Sequence, residues 1–170
     1  MTDYTKNART IINKFLWDEI TSAGVLDSDD YRPDGFTKSI IPIIPAQQTP
    51  EMNNLLEDLP YIIYDYQVDS YGDEWWICEE TILYTIVATS VSKISEISEF
   101  MIDLFRRKDL SGKDLQVFNT EHNLIKFYSI CLESVSSPEP FDSEGGRMSG
   151  QVEITYKYSR FVESNSGRFS

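Results

Sequence analysis

The candidate acid pair in this 170-residue sequence is Glu79-Glu80, inside the strand-like run Trp75–Thr89. Neighbouring residues of a strand point to opposite faces, so these two carboxylates cannot act as a dyad on one substrate. Glu79 shares its register with Trp75, Ile77, Thr81 and Leu83, and Glu80 shares its own with Trp76, Cys78, Ile82 and Tyr84. One of them must sit on the more apolar face. There a carboxylate serves a salt bridge, a sheet edge or a subunit contact, or becomes an acid of raised pKa. Cys78 and Cys131 each lie among apolar residues and read as reduced core thiols, with a disulfide between neighbouring strands as the alternative. His122 is the single histidine and no CxxC is present, so no zinc set can be assembled and no metal site is expected. The chain has no GxSxG elbow, and Gly145-Gly146 has neither the pattern nor the strand-to-helix setting of a phosphate loop. No catalytic residue and no cofactor is expected; the chain reads as a non-enzyme.

Charge is the next constraint. The formal net charge is -13. Residues 51–100 hold 11 acids and one base, Lys93, for a net of -10, so almost all of the excess lies in the middle of the chain. Arg106, Arg107 and Lys108 form the one basic cluster, where an expected helix ends and cations complement its dipole. Phosphate binding needs Lys or Arg, so an ordinary nucleic-acid-binding role is not expected. Tyr61, Tyr64, Tyr66, Trp75, Trp76 and Tyr84 crowd the acidic stretch without interleaved cations. They suit core and subunit-interface packing better than base stacking. No apolar run is long enough to span a bilayer and the first residues do not resemble a secretory signal, so neither membrane insertion nor secretion is expected.

These residues must be positioned by a small set of elements. Over 5–23, Ala8, Ile11, Ile12, Phe15, Leu16 and Ile20 recur at helical spacing, with Thr5 or Thr2 as cap and Gly24 as the left-handed stop. Residues 27–50 read as an extended arm, whose Ile40–Ile44 stretch can also form an edge strand because Pro42 would break a central ladder. A short helix follows Pro50. Residues 60–89 alternate with period two and form a β-hairpin turning at 70–74. Over 92–108, Ile94, Ile97, Met101, Leu104 and Phe105 mark a second long helix, with Ser92 as its cap. Residues 124–161 form a second hairpin around the long polar loop 136–149, and 162–170 is a polar tail. In the closing strand Val152, Ile154, Tyr156 and Tyr158 face one way and Gln151, Glu153, Thr155, Lys157 and Ser159 the other, which describes a sheet with one buried face. The expected fold is a single α+β domain of two layers: a mostly antiparallel four-stranded sheet with both long helices on one face, plus the arm and long loops.

The run 59–90, followed by the helical stretch SKISEISEFMIDLFRR and closed by GQVEITYKYSRF, resembles the tail-terminator and tail-completion proteins of tailed bacteriophages. Another phage neck or head-completion component is the alternative, and a small-molecule-binding or enzymatic α+β domain a third. The resemblance implies a structural virion protein, assembled in the host cytoplasm, that forms a homohexameric ring at the head-proximal end of the tail. Its partners would be copies of itself, the tail tube or sheath protein and the head-tail connector, with genomic DNA passing through the lumen without specific binding. On that reading Asp69, Asp73 and Glu74 are candidates for an acidic lumen or rim. Tyr71, Trp75, Trp76, Glu79, Phe141 and Arg147 are candidates for the subunit interface, and 27–50 and 136–149 would be arms that reach neighbours.

Overall fold

The first helix stops where its sequence says it should. Gly24, with a φ of 76°, donates to the Thr21 carbonyl, and Val25 donates to the Ile20 carbonyl. This paired closure satisfies the last carbonyls of the helix and needs a residue free to enter the left-handed region. The computed structural model describes residues 8–46, 59–71, 77–106, 125–141 and 146–160. Within them the chain forms α1 (Ala8–Ser22), a 3-10 turn (Ser28–Tyr31), β1 (Ile43–Pro45), β2 (Tyr61–Tyr71), β3 (Ile77–Ala88), α2 (Val91–Arg106), β4 (Ile125–Val135), β5 (Glu139–Pro140) and β6 (Met148–Arg160). The expected caps Thr2 and Thr5, the short helix after Pro50, the turn residues Asp73 and Glu74, Trp75 and Trp76, Arg107, Lys108, His122, Gly145 and the tail 162–170 lie outside the described residues.

The class is α+β, and the sheet has six strands rather than four. Their order is β1-β2-β3-β6-β4, with β5 also paired to β6. The β2–β3, β3–β6, β4–β6 and β5–β6 pairs are antiparallel, whereas β1 runs parallel to β2. The additional strands come from the segment expected to be an extended arm or edge strand and from the expected loop. Ile62 donates its N–H to the Pro42 carbonyl at 2.8 Å and Ala46 donates to Tyr64 at 2.9 Å, so the proline-rich stretch takes an edge, where a missing N–H does no harm. Residues 27–46 are thereby folded onto their own domain. Tyr31 is buried, its hydroxyl donates to the Pro60 carbonyl at 2.5 Å, and its ring meets Trp17 edge-on at 5.5 Å. In the expected loop, the Ser136 N–H donates to the Gln151 carbonyl and the Phe141 N–H to the Arg147 carbonyl, so its described residues continue the pairing with β6.

Both helices lie on one face, as expected. The Asn13 side chain of α1 accepts from the Tyr84 hydroxyl at 2.7 Å, and Phe105 of α2 stacks on the same Tyr84 ring at 6.3 Å. Tyr84 shares its face with Ile82 and Ile86 of β3, Val152 and Ile154 of β6, and Ile62 of β2. Ile12, Leu16 and Ile20 of α1 and Ile97, Met101 and Leu104 of α2 close this layer, all at most 1% exposed. Each such side chain contributes about 1.5–3 kcal/mol on leaving water. Trp17, on none of the helical positions picked from the spacing, is also buried. The second helix begins earlier than its Ser92 suggested. Ser90 is the cap, its Oγ accepting from the Lys93 N–H at 3.1 Å.

The open edge of β2 is protected. Ile62 and Tyr64 direct their backbone groups toward β1, and Tyr66 continues that row past the end of β1. Its N–H is taken by Asp65 Oδ1 at 2.9 Å, a local carboxylate that occupies a donor otherwise open to another strand.

Close approach of α2 to the sheet depends on Gly150. A Cβ there would meet Ile94 Cγ2 at 2.7 Å. Gly150→Ala is expected to lower stability by about 1–3 kcal/mol through overpacking, measured by urea denaturation. An unchanged midpoint would mean that Ile94 gives way without strain.

Candidate functional site

Of the two adjacent glutamates, Glu80 is the one placed on the apolar face. Its residue is 4% exposed. The register sets Tyr156 directly opposite Glu80 and Tyr158 opposite Cys78, one pleat further along the same face. Tyr156 donates its hydroxyl to Glu80 Oε1 at 2.6 Å and Tyr158 donates to Oε2 at 2.7 Å. Their rings stack at 5.9 Å, with Phe127 tilted against both. From α1, Arg9 Nη1 reaches Oε1 at 3.4 Å while its guanidinium carbon lies 3.5 Å from the centroid of the Tyr66 ring. A carboxylate removed from water needs this combination of an opposite charge and hydrogen-bond donors. Both of its oxygens are engaged, so the arrangement orients α1, β3 and β6 around one buried charge.

The tyrosines at this site hold their protons tightly. Burial first, then the hydrogen bond and negative charge of Glu80, push the Tyr156 and Tyr158 hydroxyls well above the ordinary tyrosine value of 10.0. Tyr84 is raised by burial and then by Tyr64, and Tyr31 by burial and then by Asp30.

The remaining candidates do not converge. Glu79 lies on the opposite sheet face, half-buried, with Lys157 and Ser70 as its register neighbours. Asp69 falls at the register shift between Val68 and Ser70, and Tyr71 pairs with Cys78. At the other end of the sheet, Arg147 Nη1 donates to the Tyr61 hydroxyl at 3.1 Å, and the Arg147 carbonyl accepts from Phe141, whose side chain is exposed. The described interface candidates therefore form two groups, Tyr71 and Glu79 at one end and Phe141 and Arg147 at the other; Lys157, the partner of Glu79, is ten residues along β6 from Arg147, roughly 33 Å at the usual strand rise. Cys78 and Cys131 are not joined: β6 runs between their strands, and their partners Tyr158 and Thr155 point to opposite faces. Among the described residues no group of three or more His, Cys, Asp or Glu could hold a metal ion. No helix among them is long and apolar enough to cross a membrane.

Reading the sequence missed Arg9, Tyr156 and Tyr158 as partners of Glu80. The signal available was the apolar register of Glu80, which demands partners. Their identity depended on β6 inserting beside β3.

Two outcomes follow for stability. Glu80→Ala leaves Arg9 and two buried hydroxyls without their acceptor and is expected to cost about 3–5 kcal/mol. Glu80→Gln retains an acceptor and is expected to cost less, about 1–3 kcal/mol, both by urea denaturation. If Glu80→Ala were neutral, the network would contribute nothing. For pH, the folded state favours protonated tyrosine at five positions, Tyr31, Tyr64, Tyr84, Tyr156 and Tyr158, so that stabilisation is complete below pH 10 and is lost as pH rises through 10 toward the folded values. In an alkaline titration, tyrosinate absorbance is expected to show a delayed fraction that appears only as helical circular dichroism is lost. All ten tyrosines ionising near pH 10 with the fold intact would contradict this.

Comparison with known proteins finds no family model that matches this chain and no significant match among curated protein sequences.

Proposed function

We propose that this chain is a structural subunit of a tailed-bacteriophage virion that closes into a ring, hexameric, at the head-proximal end of the tail. The ring ends growth of the tube or sheath, joins the tail to the head connector and lets DNA pass through its lumen. The observation that carries the reading is one-sided packing on the expected order of elements. Helix, hairpin, helix and closing hairpin place α1 and α2 on the face of Tyr84, and neither helix covers the face that bears Glu79, Thr81, Leu83, Thr85 and Thr155. That face is partly apolar and partly hydroxylic, with Thr81 and Thr155 hydroxyls 3.1 Å apart. It offers a broad, preformed surface for like subunits or tail proteins.

The mechanism is geometric. Head-to-tail contacts between unlike patches close into a ring when their rotation divides the circle. The separation of the two candidate groups suits such contacts, because the Glu79 end and the Phe141–Arg147 end of one subunit can face different neighbours. Residues 27–46 are occupied by their own domain, so the reach to neighbours falls to the sheet face and to the turn between β5 and β6. Part of the acidic 51–100 block, including Asp69, Asp73 and Glu74, lines the lumen or its rim. Carboxylates there repel DNA phosphates at short range, over about 8–10 Å at physiological salt.

Native mass spectrometry and electron microscopy of the purified protein, alone and with tail tubes of the same phage, test this reading. A six-fold ring is expected in at least one condition. A protein that stays monomeric in both would overturn the reading. A ring with Asp69, Asp73 and Glu74 on its outer wall would remove the lumen assignment alone.

A further inference from the structure

Arg9 belongs to α1, yet its side chain is engaged by the sheet. What holds it is a preformed set of side chains from the sheet. The Tyr66 ring lies under the guanidinium, with 3.5 Å from centroid to central carbon. Glu80 supplies the charge, its carboxylate held in place by Tyr156 and Tyr158 at 2.6 and 2.7 Å. Tyr64 precedes Tyr66 by two residues of β2 and so shares its face. A flat cation stacked on an aromatic face and paired with a carboxylate is the chemistry that selects guanidinium over ammonium.

The site is also reachable. Glu80 is 5% exposed at its side chain, but Arg9 retains 20% and Tyr66 is 42% exposed, so the face of the site toward Tyr66 meets solvent. The contact between Arg9 and Glu80, at 3.4 Å, is longer than the 2.7–2.9 Å usual for a charge-assisted bond. The deep half of the site is therefore rigid and fully bonded, whereas its ligand is held from one open side.

We propose that Glu80, Tyr66, Tyr64, Tyr156 and Tyr158 form a guanidinium-recognition site, filled in the single chain by its own Arg9. The ligand class is an arginine side chain. An arginine presented by another polypeptide meets the same chemistry and competes with Arg9 for it, which would release Arg9 from Glu80. This inference is independent of the ring.

Chemical rescue tests it. Arg9→Ala is made in the full chain, and its Tm is measured with methylguanidinium or with methylammonium at equal millimolar concentration. Methylguanidinium is expected to raise the Tm by about 2–4 °C over the ammonium control, as a ligand of the folded state alone does. The wild-type protein, whose site is filled, should show no difference between the two cations, and Arg9→Ala combined with Tyr66→Ala should lose the response. Should Arg9→Ala not fold, Arg9→Lys provides the second measurement. It keeps the charge but not the planar fork, so its Tm should fall below wild type and rise with methylguanidinium. Equal responses to both cations in the variant that folds, or an equally large methylguanidinium response in wild type, would overturn the proposal.

Discussion

A carboxylate buried between the sheet and the first helix sets the terms for much of this molecule. Glu80 cannot leave water without partners, and its partners come from two distant parts of the chain: Arg9 on α1, and Tyr156 and Tyr158 on β6. The interaction therefore demands that β6 lie beside β3 in one register and that α1 cross above both. A shift of β6 by one residue would turn both hydroxyls to the other face and leave the charge unpaired. Apolar packing alone tolerates a range of arrangements; a buried ion with directional donors tolerates few.

The same layer shows how polar groups are distributed inside an otherwise aliphatic core. Tyr84 donates to Asn13, Tyr31 to the Pro60 carbonyl, and the described residues contain no buried side-chain polar atom without a partner. The tyrosines act as spacers whose rings fill the core and whose hydroxyls finish the hydrogen bonding of other elements. Their location on one face also explains why the opposite face is different in character. With both helices on the Tyr84 side, the other side carries threonines, glutamates and Leu83, all half-buried and covered by neither helix.

Much of this was legible from local pattern. Period-two alternation marked β2, β3 and β6, and period-3.6 spacing marked α1 and α2 with nearly all of their buried residues. The misses share a cause. Glu139–Pro140 is a strand because β6 offers it hydrogen bonds, not because two residues ending in a proline carry a strand pattern. Ser90 rather than Ser92 caps α2, because both serines precede the same helical spacing and the local sequence does not separate them. Among functional candidates, register showed that Glu79 and Glu80 must part. It did not show which of the chain's cations would meet the buried one.

By itself, then, the sequence determined the kinds of element, the buried face of each and the concentration of negative charge in residues 51–100. Those properties follow from side-chain type and spacing within one segment. Tertiary structure alone decided that β6 enters between β3 and β4, and that Arg9, Tyr66, Glu80, Tyr156 and Tyr158 form one site. Those outcomes depend on contacts between residues far apart in the chain, as in Arg9 with Glu80, whose separation is 71. No local periodicity encodes such a pair; only the need to satisfy a buried charge selects it.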